Sequence, residues 1–273
     1  MRPSSPRQTP DVPSIVLPPV LAVGKRLGKF GKRDGIREEP KRDAKVVQNQ
    51  ALKEITVAWE KFLVSEFTGN VAQEGYELAL KTVSDAKLEY DAADVTSFSL
   101  TLAKYEGYEQ VGERAGIFLS ALVNAGKDKE YTIYADQIQI FYLGTYNSKD
   151  LTIIGNCGGG LATEMVGGSI TVNGNCNDIG NFIRSGQITV NGYVRLVTTV
   201  GFWSSKTPVT IIINGDADEI RSVRFGVVSV RNVRSVFALA GGEVRIEGEC
   251  GNCNPKDGRV FIKGQLIEGS ITN

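Results

Sequence analysis

The four cysteines are the residues whose possible chemistry is easiest to name from the sequence. Cys250 and Cys253 form the motif CGNC, whose spacing suits half of a zinc or iron–sulfur site or a redox-active pair. Cys157 and Cys176 lie far upstream, and each follows a glycine by two residues, as Cys250 also does. We expect the cysteines to act mainly as small buried apolar side chains. A metal half-site at Cys250 and Cys253, completed by a second chain, stays open as an alternative.

The chain contains no histidine, which excludes Ser/His/Asp and Cys/His nucleophile systems and histidine zinc ligands. The carboxylates of NGDADE, Asp216, Asp218 and Glu219, could bind calcium or act as a catalytic pair, although a solvated turn explains them as well. The glycines at 158–160 lack the Lys-Ser/Thr of a phosphate loop. We therefore expect a non-enzyme that binds no cofactor.

Basic side chains form two candidate sites for an anionic or acidic partner. The first is in KRLGKFGKR near the N-terminus, and its members are Lys25, Arg26, Lys29, Lys32 and Arg33. The second is a group of arginines within 25 residues, Arg221, Arg224, Arg231, Arg234 and Arg245. Such residues could bind an anionic polymer if they share a surface, but outward charges also serve solubility.

The charge of the chain is unevenly distributed, although its formal net charge is zero. Residues 1–45 carry 11 Lys and Arg against 5 Asp and Glu, and they include seven of the nine prolines. This composition predicts a disordered basic arm over residues 1–44, which could bind nucleic acid, an anionic surface or protein.

The apolar segment 14–23 is interrupted by two prolines, so we expect neither a secretory signal nor a membrane span. The low number of cysteines agrees with a reducing compartment, so we expect a cytoplasmic location.

Residues 45–128 are predicted to be mostly helical. Apolar residues recur near helical spacing from Asp43 to Phe67, and further helices are predicted over 72–86 and 111–126. Weak alternation over 95–105 favours a strand. This region is well placed to cover one end of the structure that follows.

A five-residue strand pattern recurs over residues 129–273, usually ending in glycine. It begins at residues 151, 170, 188, 211, 228, 244 and 260, and YTIYA at Tyr131 adds a possible first copy. Short strands at nearly constant spacing predict stacked coils, that is, a parallel β-helix of about seven or eight coils. Cys176 and Cys250 would then lie about four coils, or roughly 20 Å, apart, too far for one metal ion. Asn173, Asn191 and Asn214 should stack as a side-chain ladder.

The stretch with Met165, Gly167, Gly168, Ile170, Val172 and Gly174 resembles the GXGXG-type β-helix repeat. That repeat is known from the C-terminal domain of the glutamate synthase large subunit and from one of the subunits of formylmethanofuran dehydrogenase. The resemblance covers 131–273 and is weaker at the 23-residue spacing before Ile211 and at Asn232, which replaces a glycine. It implies a right-handed β-helix that acts as a spacer or subunit-contact module.

The sequence thus favours a mainly β protein that acts as a non-catalytic scaffold, with protein partners and self-association along a face or an end. One alternative is a structural subunit of a multi-component oxidoreductase or amidotransferase, which the resemblance implies. A second is a carbohydrate-binding or carbohydrate-active protein. Such a site needs aromatic and carboxylate side chains, and Phe202, Trp203 and Asp216 are the residues of these types that lie close together in the sequence. A third is a left-handed acyltransferase, against which the irregular spacings and the lack of histidine count.

Overall fold

The computed structural model describes residues 39–67, 70–198, 200–201, 207–267 and 271–272, with the backbone alone at 39–49, 238 and 271–272. Four α-helices come first, α1 Glu39–Leu63, α2 Val71–Asp85, α3 Ala92–Ser99 and α4 Val111–Ala125, with a 3₁₀ helix at Leu102–Tyr105. The basic arm and its candidate residues Lys25, Arg26, Lys29, Lys32 and Arg33 lie outside the described residues. So do Phe202 and Trp203.

Fifteen short strands follow the helices in the described part of the chain. They are β1 Glu130–Tyr134, β2 Asp150–Ile154, β3 Ser169–Asn173, β4 Cys176–Ile179, β5 Gln187–Val190, β6 Val194–Val197, β7 Val209–Ile213, β8 Ala217–Arg221, β9 Gly226–Val230, β10 Val233–Leu239, β11 Glu243–Ile246, β12 Cys250–Lys256, β13 Arg259–Ile262, β14 Gln265–Leu266 and β15 Ile271–Thr272.

The strands form a parallel β-solenoid of about seven turns, as the repeat predicts. Sheet A has the order β1-β2-β3-β5-β7-β9-β11-β13-β14, and sheet B has the order β15-β12-β10-β8-β6-β4. Isolated bridges that join Ile183, Val200 and Val223 continue the stacking elsewhere around the coil. The predicted first copy at Tyr131 is β1. Alternate strand residues are buried, for example Ile170, Val172 and Ile188, because each strand turns one face toward the interior.

The strand expected over 95–105 is wrong, since α3 and the 3₁₀ helix occupy it. Local capping explains the helix: Asp91 accepts a hydrogen bond from the backbone of Asp94, and the Asp94 side chain accepts one from the backbone of Asp91. Buried Val95 and Phe98 then face the helical core. The helices predicted from 43, 72 and 111 are confirmed as α1, α2 and α4.

The helices close the first coil through hydrogen bonds as well as apolar packing. Thr96 donates its hydroxyl to the Thr132 carbonyl over 2.7 Å, and the Tyr134 amide donates to the Ser99 hydroxyl over 3.1 Å. These bonds satisfy edge groups of β1 that would otherwise lack a strand partner. Behind them, Trp59 and Phe118 pack with ring centroids 5.5 Å apart. The buried residues of helices and coils form one continuous core.

Sheets A and B both end in chain reversals. β14 pairs antiparallel with β13, and β15 pairs antiparallel with β12, whereas every earlier strand pair of the two sheets is parallel. β14 and β15 are only two residues long, and the exposed side chain of Leu266 lies on β14. Very short reversed strands do not offer a continuing parallel ladder to another solenoid.

Two irregular corners account for the departures from the repeat. The connection from β6 to β7, residues 198–208, has 11 residues against the 7 of 180–186 between β4 and β5, and this difference accounts for most of the 23-residue spacing. The corner after β9 is one residue shorter than the corner before it, because Ile213 pairs with Val230 whereas Ala217 pairs with Val233. Asn232 therefore takes the place of Asp216, and its side chain accepts the Glu249 amide over 2.9 Å.

Candidate interaction face

The outward side chains of sheet A form three columns of stacked residues, which we call the A face. The first column is Glu130, Asp150, Ser169, Gln187, Thr210, Val227, Glu243 and Arg259. The middle column is Thr132, Thr152, Thr171, Thr189, Ile212, Ser229, Arg245 and Phe261. The third column runs from Tyr134 and Ile154 through the three asparagines to Arg231, Glu247 and Lys263.

The predicted asparagine ladder is present in the third column. Asn191 donates its amide to Asn173 Oδ1 over 2.7 Å, and Asn214 donates to Asn191 Oδ1 over 2.6 Å. The bonds fix neighbouring coils in register along the border of the A face. Hydroxyl, amide and aliphatic side chains dominate the middle of this face, from Ser169 to Ser229.

Charge on the A face is concentrated at its two ends. Glu130 and Asp150 make the first two coils acidic. The last two coils carry Arg245, Arg259 and Lys263 together with the carboxylates of Glu243 and Glu247, and Arg231 borders the coil before them, so basic groups predominate there. The face therefore runs from an acidic end, across an uncharged middle, to a basic end.

An open pocket of about 740 Å³ lies at the basic end, lined by residues that include Ser229, Glu243, Arg245, Arg259 and Phe261. Glu243 is only 7% exposed, although its column faces outward. Its carboxylate accepts a hydrogen bond from Arg245 Nε at 2.5 Å and forms an ion pair with Arg259 Nη2 at 2.9 Å. The two guanidinium groups are thereby held side by side, while both arginine side chains stay more than 60% exposed.

The outer surface of sheet B has a different character, because opposite charges alternate along it. Arg195 is ion-paired with Asp178, Arg221 with Glu219 at 2.8 Å, and Arg234 with Asp218 at 3.6 Å. These carboxylates and arginines satisfy one another within the sheet. An uncharged middle is therefore a property of the A face and not of both sheets.

The five arginines predicted as one anion-binding group do not share one surface. Arg221 and Arg234 lie on sheet B, Arg245 lies on sheet A, and Arg231 lies at the corner that borders the A face, where it contacts Asp216 at 2.8 Å. Arg224 lies between β8 and β9. The arginines of the two sheets and of the corner all form ion pairs with carboxylates of the same chain. Of the five, Arg245 lines the pocket at the basic end.

The cysteines divide into a disulfide and a stacked pair. Cys250 and Cys253 form a disulfide with their Cα atoms 6.4 Å apart, so in this oxidised state neither sulfur can ligate a metal ion, and a half-site of the reduced thiols stays a prediction. Cys157 and Cys176 are free, buried and paired in register on neighbouring coils. Burial, with the nearby Asp136 charge, raises the pKa of Cys157 to about 12, and burial raises the pKa of Cys176 well above its usual range. Both are small buried groups, as expected.

The NGDADE carboxylates form turn and strand contacts. Asp216 accepts hydrogen bonds from Arg231 and from the Asn232 amide, and these bonds lower the pKa of its carboxyl. Asp218 and Glu219 form ion pairs on sheet B. Within the part of the chain that the structure describes, no group of three or more Cys, Asp or Glu residues could hold a metal ion.

Sequence reasoning missed Glu243 and Phe261 as members of a site. Strand alternation could have placed both outward, because each lies one residue from an inward valine. The burial of Glu243 under two arginines depends on contacts between coils, which alternation does not reveal.

Comparisons with known proteins find no matching family model, no matching curated protein and no matching solved structure. The GXGXG resemblance and the right-handed sense it implies therefore stay predictions. Over the described ranges, no helix is both long and apolar enough to cross a membrane.

Proposed function

We propose that this chain is a non-catalytic β-solenoid scaffold that assembles by self-association through its A face. The observation that carries the proposal is the ordered, uncharged middle of this face, between Ser169 and Ser229. The GXGXG resemblance, which implies a subunit-contact module, agrees with it. A cytoplasmic location, expected from the composition, belongs to the same proposal; in that reducing compartment Cys250 and Cys253 would be thiols and not the disulfide of this structure.

The closed ends of the solenoid favour contact along a face over contact end to end. At the first coil, α3 side chains already bond to the edge of β1. At the last coil, β14 and β15 reverse the strand direction. A second solenoid could not continue either parallel ladder without displacing these elements.

The composition of the A face suits burial better than that of sheet B does. Thr171, Thr189 and Ile212 are already half-buried and carry no charge, so a contact there desolvates no ion. Sheet B would need several ion pairs to be desolvated, which is costly. With strands about 4.8 Å apart and residues about 3.3 Å apart, eight strands present roughly 550 Å² of projected area. Such an area suits a weak, specific interface at the small end of the known range.

A single substitution in the middle of the face tests the proposal. We expect the purified full chain to form a defined oligomer by light scattering at about 100 µM, since interfaces of this size give weak dissociation constants. Thr189→Arg adds a charge at the centre of the A face and should produce the monomer. Asn254→Arg, an exposed position on β12 of sheet B, is the matched control and should keep the oligomer.

A wild-type monomer at this concentration would overturn self-association. An oligomer that Asn254→Arg disrupts and Thr189→Arg leaves intact would place the contact on the other sheet and equally overturn the proposal. Circular dichroism of each variant excludes loss of the fold as the cause.

A further inference from the structure

We propose that the partner on the A face is a second copy in a two-fold pair whose axis is parallel to the strands. The first coil of one copy then lies on the last coil of the other. This inference rests on the proposed function and adds the orientation and the residues that meet. Its basis is the distribution of charge along the A face.

A two-fold interface must be self-complementary, because the same surface is used by both copies. An acidic end and a basic end on one face meet this condition only if the copies run in opposite stacking directions. Glu130 and Asp150 of one copy then approach Arg245 and Arg259 of the other. The uncharged middle of each face, around Thr189 and Ile212, lies over that of the partner.

The columns distinguish this arrangement from the other two-fold pairing. With the axis parallel to the strands, the first column lies over the first column, and Glu130 meets Arg259. With the axis along the stack, each coil meets itself with its strand reversed. Arg259 would then meet Lys263 on the same coil, so like charges would face each other. Like-charge juxtaposition disfavours that pairing.

Within the proposed pair the pocket receives a carboxylate. Glu243 accepts a hydrogen bond from Arg245 Nε and forms an ion pair with Arg259, and because a guanidinium has five N–H groups, each arginine keeps donors for a second carboxylate. Charge-assisted bonds from guanidinium to carboxylate are among the stronger hydrogen bonds at interfaces. Asp150 of the second copy would meet Glu243 in the first column, but Glu243 is buried beneath its two arginines. The arginines therefore present the positive charge that Asp150 meets.

A charge swap tests the orientation in the full chain by sedimentation equilibrium. Glu130→Arg and Arg259→Glu should each weaken dimerisation by about tenfold, as expected for loss and reversal of an interfacial pair. The double variant restores an opposite pair in exchanged positions and should recover wild-type affinity to within about threefold. Glu106→Arg and Lys104→Glu, exposed positions in the helical region, are the charge-matched controls and should leave the dimer unchanged.

The outcomes separate this inference from the proposed function. A dimer that Thr189→Arg disrupts but the Glu130 and Arg259 variants leave intact keeps the A face and overturns the orientation. Failure of the double variant to recover, with its circular dichroism unchanged, also overturns it. Assemblies larger than a dimer would indicate an open contact and exclude the two-fold pair, whereas a monomeric wild type overturns both proposals. Glu130→Arg leaves the contacts of Glu243 with Arg245 and Arg259 intact, so it tests the orientation even if Arg259→Glu destabilises the fold.

Discussion

Asn191 and Asn173 lie on neighbouring coils, 18 residues apart in sequence, and are joined by a side-chain hydrogen bond of 2.7 Å. Asn214 extends the ladder by bonding to Asn191 at 2.6 Å. Asn191 is therefore both a donor and an acceptor, and its amide links three coils at the border of the A face.

Replacing Asn191 by alanine should remove both bonds of this ladder. Because the ladder is exposed to water, we expect the free energy of unfolding to fall by only about 1 kcal/mol. Urea denaturation of Asn191→Ala and of Gln187→Ala, an exposed residue at the start of β5, which Asn191 follows, measures the difference. Equal stabilities of the two variants would contradict a stabilising role for the ladder.

Gly174 should not tolerate a side chain. A Cβ atom at this position would lie 2.1 Å from the Gly155 carbonyl oxygen, because the glycines stack directly at this corner. Gly174→Ala should therefore lower the free energy of unfolding by about 3 kcal/mol, since coils must move apart. Gly167→Ala is the control, because its Cβ would meet nothing within 4 Å. Similar denaturation midpoints for both would contradict the stacking.

Ser120 joins α4 to the chain that follows β1. Its hydroxyl donates to the Gly116 carbonyl over 2.6 Å and accepts from the amides of Gly144 and Thr145 at 2.8 and 3.2 Å. Ser120→Ala removes the acceptor of a buried amide, which should lower the free energy of unfolding by about 2 kcal/mol. Thermal denaturation against Ser97→Ala, an exposed serine of α3, provides the comparison. Equal melting temperatures would show that the packing of the helices on the first coil does not depend on this bond.

The four cysteines should react as two distinct pairs. Unfolded without reductant, the protein should show two free thiols, and after reduction it should show four, because Cys250 and Cys253 form a disulfide. In the native protein Cys157 and Cys176 should resist alkylation at pH 8, since burial disfavours their thiolates. Mass spectrometry after iodoacetamide treatment identifies each site. Rapid native labelling of Cys157 would contradict its burial.

Stability should decline in alkali. The pKa of Cys157 is raised to about 12 in the fold from a usual value of 9.0, so folding disfavours its ionisation. Its contribution is fully present below pH 9 and is lost as the pH rises toward 12. Burial also raises the pKa of Tyr105 to about 12, with the hydrogen bond to Glu60 acting in the same direction. Cys157→Ala should therefore show a shallower loss of stability between pH 9 and 11 than wild type in urea titrations.

The sequence by itself determined the repeating strands, their stacking and the asparagine ladder. Each of these follows from local periodicity, because residues at one position in successive coils come into register when the coils stack. The helices at 39–63, 71–85 and 111–125 were predictable for the same reason, from apolar spacing within each helix. Alternation over 95–105 was misleading, since the capping residues Asp91 and Asp94 and burial of Phe98 outweighed it.

Only the tertiary structure decided which outward side chains meet. Glu243 contacts Arg259 from the next coil, and Arg231 contacts Asp216 from the preceding one. These pairings depend on the register between coils. The register changes at the short corner near Asn232 and at the long connection 198–208, and strand spacing alone does not tell which corner of a coil is shorter or longer. The cover that α3 gives to β1 and the separation of the A face into acidic, uncharged and basic parts arise in the same way, because each requires residues distant in sequence to occupy neighbouring positions in space.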